Sequence, residues 1–132
     1  MKATPELQLL AVAATVTALM WIPYICARLL THGPVRALGP DPTLLPDPIW
    51  AQRARRAHAN AVESLAVFAP LVVIAALIGV STPATILASK VYLVARVTHY
   101  VVYAAGIPVA RTVAFAFGFG ATAVFAAAVL GG

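Results

Sequence analysis

The sequence predicts an all-α integral membrane protein, a bundle of four transmembrane helices. Of its 132 residues, 62% are hydrophobic and only 10% are charged, whereas a soluble domain is nearer half apolar and a quarter charged. The apolar residues form four continuous stretches, not the alternating pattern of a membrane β-barrel. Each stretch is close to the roughly 20 residues that a helix needs to cross about 30 Å of hydrocarbon.

The first apolar stretch, residues 7–27, carries no charge. Lys2 precedes it as in a signal peptide, but the stretch is longer than a signal-peptide core and no clean cleavage site follows. We therefore expect it to be a retained helix. The remaining stretches continue the pattern, and the whole chain is expected to form one membrane domain, 1–132, with helices at about 5–31, 52–80, 84–105 and 109–131.

The connection between the first two helices contains five prolines, which exclude a long helix through it. It is expected to be an ordered loop. The other two connections are short, and the last one turns on Gly106 and Pro108.

Arginines concentrate around the first and third connections: Arg28, Arg36, Arg53, Arg55, Arg56 and Arg111. Because cytoplasmic loops are enriched in Lys and Arg, both connections are predicted to be cytoplasmic and both termini non-cytoplasmic. The net charge of +5 is thus explained by membrane topology and does not indicate nucleic-acid binding. The single cysteine, Cys26, excludes an intrachain disulfide.

A polar stripe enters the membrane with the second helix. Arg53, Arg56, Asn60 and Glu63 recur at spacings of three and four, so they share one helix face. His58 falls on the opposite face, where it is expected to pack between helices or orient a neighbour. In the third helix, Arg96, His99 and Tyr103 share a face by the same spacing, and Arg111 and Thr112 open the fourth helix.

Two interpretations of these polar residues stay open. Arginines at helix ends snorkel and aromatic residues form interface belts without any ligand, and Glu63 and Arg96 could pair with each other. A charge at mid-helix is costly, however, by some 2.5–3.5 kcal/mol on insertion scales. Several cations with one anion favour a mainly anionic, peptide-like ligand that carries one amine. The three histidines lie on different segments, so no metal site is predicted.

The segments RARRAHANAVESLAVFAP and YLVARVTHYVVYAAGIPVART resemble the helix-2 and helix-3 signatures of the MAPEG family, membrane-associated proteins in eicosanoid and glutathione metabolism. The resemblance covers roughly residues 7–130. It implies a homotrimer in the lipid bilayer, with glutathione as cosubstrate bound between subunits near the cytoplasmic side and a lipophilic small molecule as second substrate.

The resemblance also implies site residues. Arg111 matches the arginine credited with activating the glutathione thiol. The implied glutathione-binding residues are Arg28 (a looser match), Arg53, Arg56, Asn60, Glu63, Arg96, His99, Tyr103 and Thr112. The sequence departs from several members at Ala59, Ala61, Tyr100 and Phe115, where a carboxylate contact or a catalytic partner is missing.

The preferred function is therefore a glutathione-dependent transferase or peroxidase. The alternative is a non-catalytic lipid- or glutathione-binding protein with the same four-helix membrane fold. A small four-helix drug/proton exporter ranks last, because the arginines around Glu63 would repel a cationic cargo.

Overall fold

The computed structural model describes residues 2–131, and these are helical apart from short connections. The helices are α1 (Pro5–Leu19), α2 (Trp21–His32), α3 (Pro34–Leu38), α4 (Ile49–Leu77), α5 (Pro83–Ala105) and α6 (Pro108–Gly131). Helices α1 and α2 together form one rod, which packs against α4 and α5, and α6 packs against α4 and α5 as well.

The helix predicted over 5–31 is divided at Met20. The Met20 amide donates to the Thr17 carbonyl, at 3.2 Å, so the turn tightens there. Pro23 explains the break, since proline has no N–H to donate and its ring crowds the preceding turn. The Tyr100 hydroxyl of α5 donates to the Met20 carbonyl at 2.8 Å. A backbone acceptor at membrane depth is thereby satisfied.

Within residues 2–131, three helices are long and apolar enough to cross a membrane: the α1–α2 rod, α4 and α6. At 23 residues, α5 is about 35 Å long, sufficient in length. Its hydropathy is lower because it carries Lys90, Arg96 and His99. The last two side chains are buried inside the helix bundle.

Aromatic packing joins α4, α5 and α6. The Phe68 and Tyr92 rings stack with centroids 3.7 Å apart, and Phe125 meets Phe68 edge-on at 5.4 Å. Small residues allow close helix approach elsewhere on α4, where Ala54 and Ala57 are fully buried.

The two ends of the bundle are closed differently. At one end the buried Glu6 carboxylate accepts hydrogen bonds from the hydroxyls of Thr85, at 2.7 Å, and Ser81, at 2.9 Å. This contact joins the start of α1 to the start of α5. At the other end the Tyr24 hydroxyl and His58 Nδ1 lie 2.7 Å apart and link α2 to α4.

The loop between α2 and α4 is held by its two aspartates. Asp47 accepts from Arg28 at 3.3 Å and lies 3.2 Å from His32 Nε2. The Thr43 hydroxyl and amide, with Arg36, hold the pKa of Asp41 below its usual value. The short helix α3 lies in this loop. Five prolines prevent the loop from forming a longer helix.

Candidate functional site

Arg96 is the centre of a polar cluster inside the helix bundle. Its side chain is only 4% exposed, and its Nη2 donates to Asn60 Oδ1 at 2.7 Å. Gly118 of α6 gives it room, since a Cβ there would meet Arg96 Cδ at 3.5 Å. The cation predicted on the α5 face thus lies against the amide predicted on the α4 face.

Two atoms of this cluster have hydrogen-bonding capacity to spare. Arg96 Nε and His99 Nδ1 are buried without a hydrogen-bond partner among the described residues. Leaving a buried polar group unpaired is costly, so such groups are expected to meet a partner. Both atoms suit a polar or anionic ligand group that reaches the cluster.

A second part of the cluster continues towards the start of α6. The His99 and Tyr103 ring centroids are 5.5 Å apart, and the Arg111 guanidinium lies over the Tyr103 ring at 4.7 Å. His99 also approaches Phe115, at 6.4 Å. One continuous run of side chains therefore leads from the interior of the bundle to its surface: Arg96, His99, Tyr103 and Arg111.

A cleft between α4 and α6 opens beside this run. Its volume is about 310 Å³. The α4 side forms a polar rim and the α6 side an aromatic wall. The lining residues are Asn60, Glu63, Ser64, Val67, Phe115, Phe119 and Thr122. Glu63 is exposed on the surface of the bundle. The Ser64 hydroxyl accepts a hydrogen bond from the Tyr92 hydroxyl at 3.2 Å. The cleft can hold a polar ligand on one side and apolar groups on the other.

Glu63 and Arg96 do not pair with each other among the described residues. Arg96 uses the Asn60 amide instead, and Glu63 points to the surface. Arg56 is likewise exposed, one turn before Asn60. The face of α4 thus presents one cation and one anion outward.

The structure places three of the predicted residues in other contacts. Arg28 donates to Asp47 and to the Ala37 carbonyl in the first loop. Arg53 packs over Gly106, which ends α5 in the left-handed region at φ 79°, and a Cβ there would overlap the Arg53 guanidinium. The Thr112 hydroxyl donates to the Pro108 carbonyl of its own helix at 3.0 Å.

Some cleft residues were missed at the sequence level. Ser64, Phe119 and Thr122 were not assigned to the site, although Ser64 follows Asn60 by four residues and Phe119 follows Phe115 by four. Their helical spacing was therefore an available signal. The signal is weak, because single Ser, Phe and Thr residues are common in apolar helices.

The fold and the cluster together define an all-helical integral membrane protein with a cationic site at the edge of its helix bundle. The model of the MAPEG family matches residues 7–131, nearly the whole chain. The chain belongs to the MAPEG family, which confirms the resemblance, and membership indicates a membrane function related to glutathione or eicosanoids. No curated protein and no solved structure matches the chain significantly.

Proposed function

We propose that the protein is a glutathione-dependent membrane enzyme, a transferase or peroxidase that acts on lipophilic electrophiles or lipid hydroperoxides. One observation carries this proposal: the buried Arg96 is held by Asn60 beside a cleft whose rim bears Glu63, while Arg96 Nε has no hydrogen-bond partner within residues 2–131. Family membership is consistent with it.

Glutathione fits the chemistry of these residues. It has two carboxylates, one ammonium group and a thiol. Arginine binds carboxylates through charge-assisted hydrogen bonds, often in pairs, so Arg56 and Arg96 suit the carboxylates. Glu63 suits the ammonium group, and the aromatic wall of the cleft suits a lipophilic second substrate.

Arg111 is the proposed activating residue. A cation beside the glutathione sulfur lowers the pKa of the thiol from about 8.5 and raises the thiolate fraction at neutral pH. In conjugation the thiol first loses its proton to solvent water, the sulfur then forms a bond to the electrophilic carbon, and the leaving group departs with its electron pair. Tyr103, in contact with Arg111, holds the guanidinium in place.

The second candidate is a non-catalytic protein that binds lipid or glutathione. It is favoured by the same contact, because an Arg111 engaged with Tyr103 is less available to a thiol. The residue Phe115, at the wall of the cleft, also offers no hydroxyl. Thiolate absorbance on mixing protein and glutathione separates the two candidates.

We further propose that α5 is the fourth transmembrane helix and that the functional unit is a homotrimer. Short turns join α5 to α4 and to α6, so α5 must cross the same layer that they cross. The exposed Arg56 and Glu63 support a partner subunit, because they would otherwise face lipid. Three such subunits would place one site at each interface.

The predicted topology places the Arg111 end of the bundle in the cytoplasm. Arg53 lies against Gly106, so the arginine-rich first and third connections meet at one end, as the positive-inside rule requires. A reporter fused to the C-terminus should therefore read as non-cytoplasmic, and one inserted after Gly39 as cytoplasmic. The opposite pair of signals would reject this orientation.

Calorimetric titration of the detergent-purified protein with glutathione tests the binding step. We expect saturable binding that Arg56→Ala and Glu63→Ala each weaken by about tenfold, since a hydrogen bond to a charged group contributes about 1.5–3 kcal/mol. Arg36→Ala, an exposed loop arginine paired with Asp41, is the matched control. Absence of binding at millimolar glutathione would reject the site.

A further inference from the structure

An apolar groove follows the outer seam between α5 and α6. Its wider part, about 630 Å³, is lined by Val94 of α5 and by Val113 and Phe117 of α6, with Lys90 at its edge. A narrower part, about 340 Å³, continues past Phe117 towards the α5 start, at Ala84. The polar cluster described above makes no use of this groove.

The groove and the candidate site lie on opposite faces of α6. At 3.6 residues per turn, Val113 and Phe117 each point about 160° away from Phe115 of the cleft wall. The groove lining is almost wholly apolar. A partner subunit that packs on the charged α4 face therefore does not reach this seam.

Lys90 is the one charged residue of the groove lining. It is exposed, and it forms no ion pair or hydrogen bond with any residue in the described range. It follows Pro83, where α5 begins, by about 10 Å of helix. Helical side chains lean towards the helix N-terminus, and lysine snorkels, so its ammonium group reaches towards the headgroups at that end.

A second copy of the chain offers no anion that fits Lys90. The chain has four acidic residues. Asp41 and Asp47 lie in the loop at the opposite end of the bundle. Glu6 is buried, and its carboxylate already accepts hydrogen bonds from its own chain. Glu63 precedes the end of α4 by about 21 Å of helix, so it lies about 10 Å deeper than Lys90.

We propose that this groove binds one acyl chain of an anionic phospholipid, whose headgroup phosphate pairs with Lys90. The groove leaves room for an acyl chain beyond Lys90: it continues along α5 to Thr98, about 12 Å of helix further, and one leaflet has about 15 Å of hydrocarbon. The lipid belongs to the leaflet at the α5 N-terminal end, where Glu6 joins Thr85. This site is independent of glutathione.

Native mass spectrometry of the purified protein tests the proposal. The probes are phosphatidylglycerol and phosphatidylcholine with identical acyl chains, supplied at equal concentration. We expect phosphatidylglycerol to be favoured about fivefold, the contribution of one lysine near an anionic headgroup. Lys90→Gln should bring the ratio near one, whereas Lys2→Gln, which removes a charge at the same end of the bundle, should leave it unchanged.

A second variant tests the groove without changing charge. Gly120 lines the narrower part, and a Cβ there meets no atom within 4 Å, so Gly120→Phe can fill the groove without a backbone clash. It should lower the binding of both lipids, and Val12→Phe, on exposed α1 surface, should not. An equal lipid ratio in the unmodified protein, an unchanged ratio in Lys90→Gln, or undiminished binding in Gly120→Phe would each overturn the proposal.

Discussion

Replacing Arg111 with alanine is expected to lower the rate of glutathione conjugation by about 100-fold, since loss of one pre-organised electrostatic group typically costs 10²–10³ in rate. Glutathione affinity should fall by no more than about fivefold, because an exposed charge contributes about 1 kcal/mol or less. The effect would then be on the thiol and not on the binding of the peptide.

The direction of the expected pKa change of the bound thiol can be tested by measuring thiolate absorbance against pH. Under the proposed mechanism, the Arg111 cation of the unmodified protein lowers the pKa of the bound thiol, so the thiolate should form below the free value of about 8.5. In Arg111→Ala the midpoint of thiolate absorbance should move up towards that value, and Arg111→Lys should recover part of the shift. Equal conjugation rates and equal midpoints in Arg111→Ala and the unmodified protein would remove Arg111 from the mechanism.

Replacing Arg96 with methionine should weaken glutathione binding by about 30-fold, the equivalent of about 2 kcal/mol for hydrogen bonds to a charged group. Methionine preserves much of the side-chain volume beside Gly118. The substitution also removes the donor to Asn60 Oδ1, so the two residues should be coupled. In a double-mutant cycle the Arg96→Met and Asn60→Ala effects should fall short of additivity.

The controls for Arg96 separate binding from folding. Arg36→Met makes the same change at an exposed loop arginine and should leave affinity unchanged. Arg96→Lys keeps the charge but loses the paired geometry of the guanidinium, so it should bind between Arg96→Met and the unmodified protein. A correctly folded Arg96→Met with full affinity would contradict the proposed site.

Much of the fold was accessible from the sequence because each helix has a local cause. Pro83 and Pro108 begin α5 and α6, and Gly106 ends α5 with a positive φ. These are positions that proline and glycine favour for reasons of backbone geometry. The break at Met20 was not predicted, although Pro23 signals it, because a proline in an apolar run can also be accommodated by a bend.

The contact partners of the long arginine side chains were harder to predict. Arg28 and Arg53 share the helix-end positions expected of ligand-binding arginines, yet one contacts Asp47 and the other covers Gly106. Arginine has a long, flexible side chain, and its partner depends on where a loop brings an acceptor. Helical spacing fixes the face from which a side chain leaves the helix, but not which neighbour it meets.

The sequence by itself determined the all-helical membrane class, the family, and the helix faces that carry Asn60 and Arg96, because hydropathy and a period of 3.6 residues are local properties. The three-dimensional packing was needed to show that Arg96 is buried against Asn60, that Glu63 is exposed, and that Lys90 lies beside an apolar groove with no ion-pair partner in the described part of the chain. These outcomes depend on how the helices rotate and approach one another. Small residues such as Gly118 set that approach.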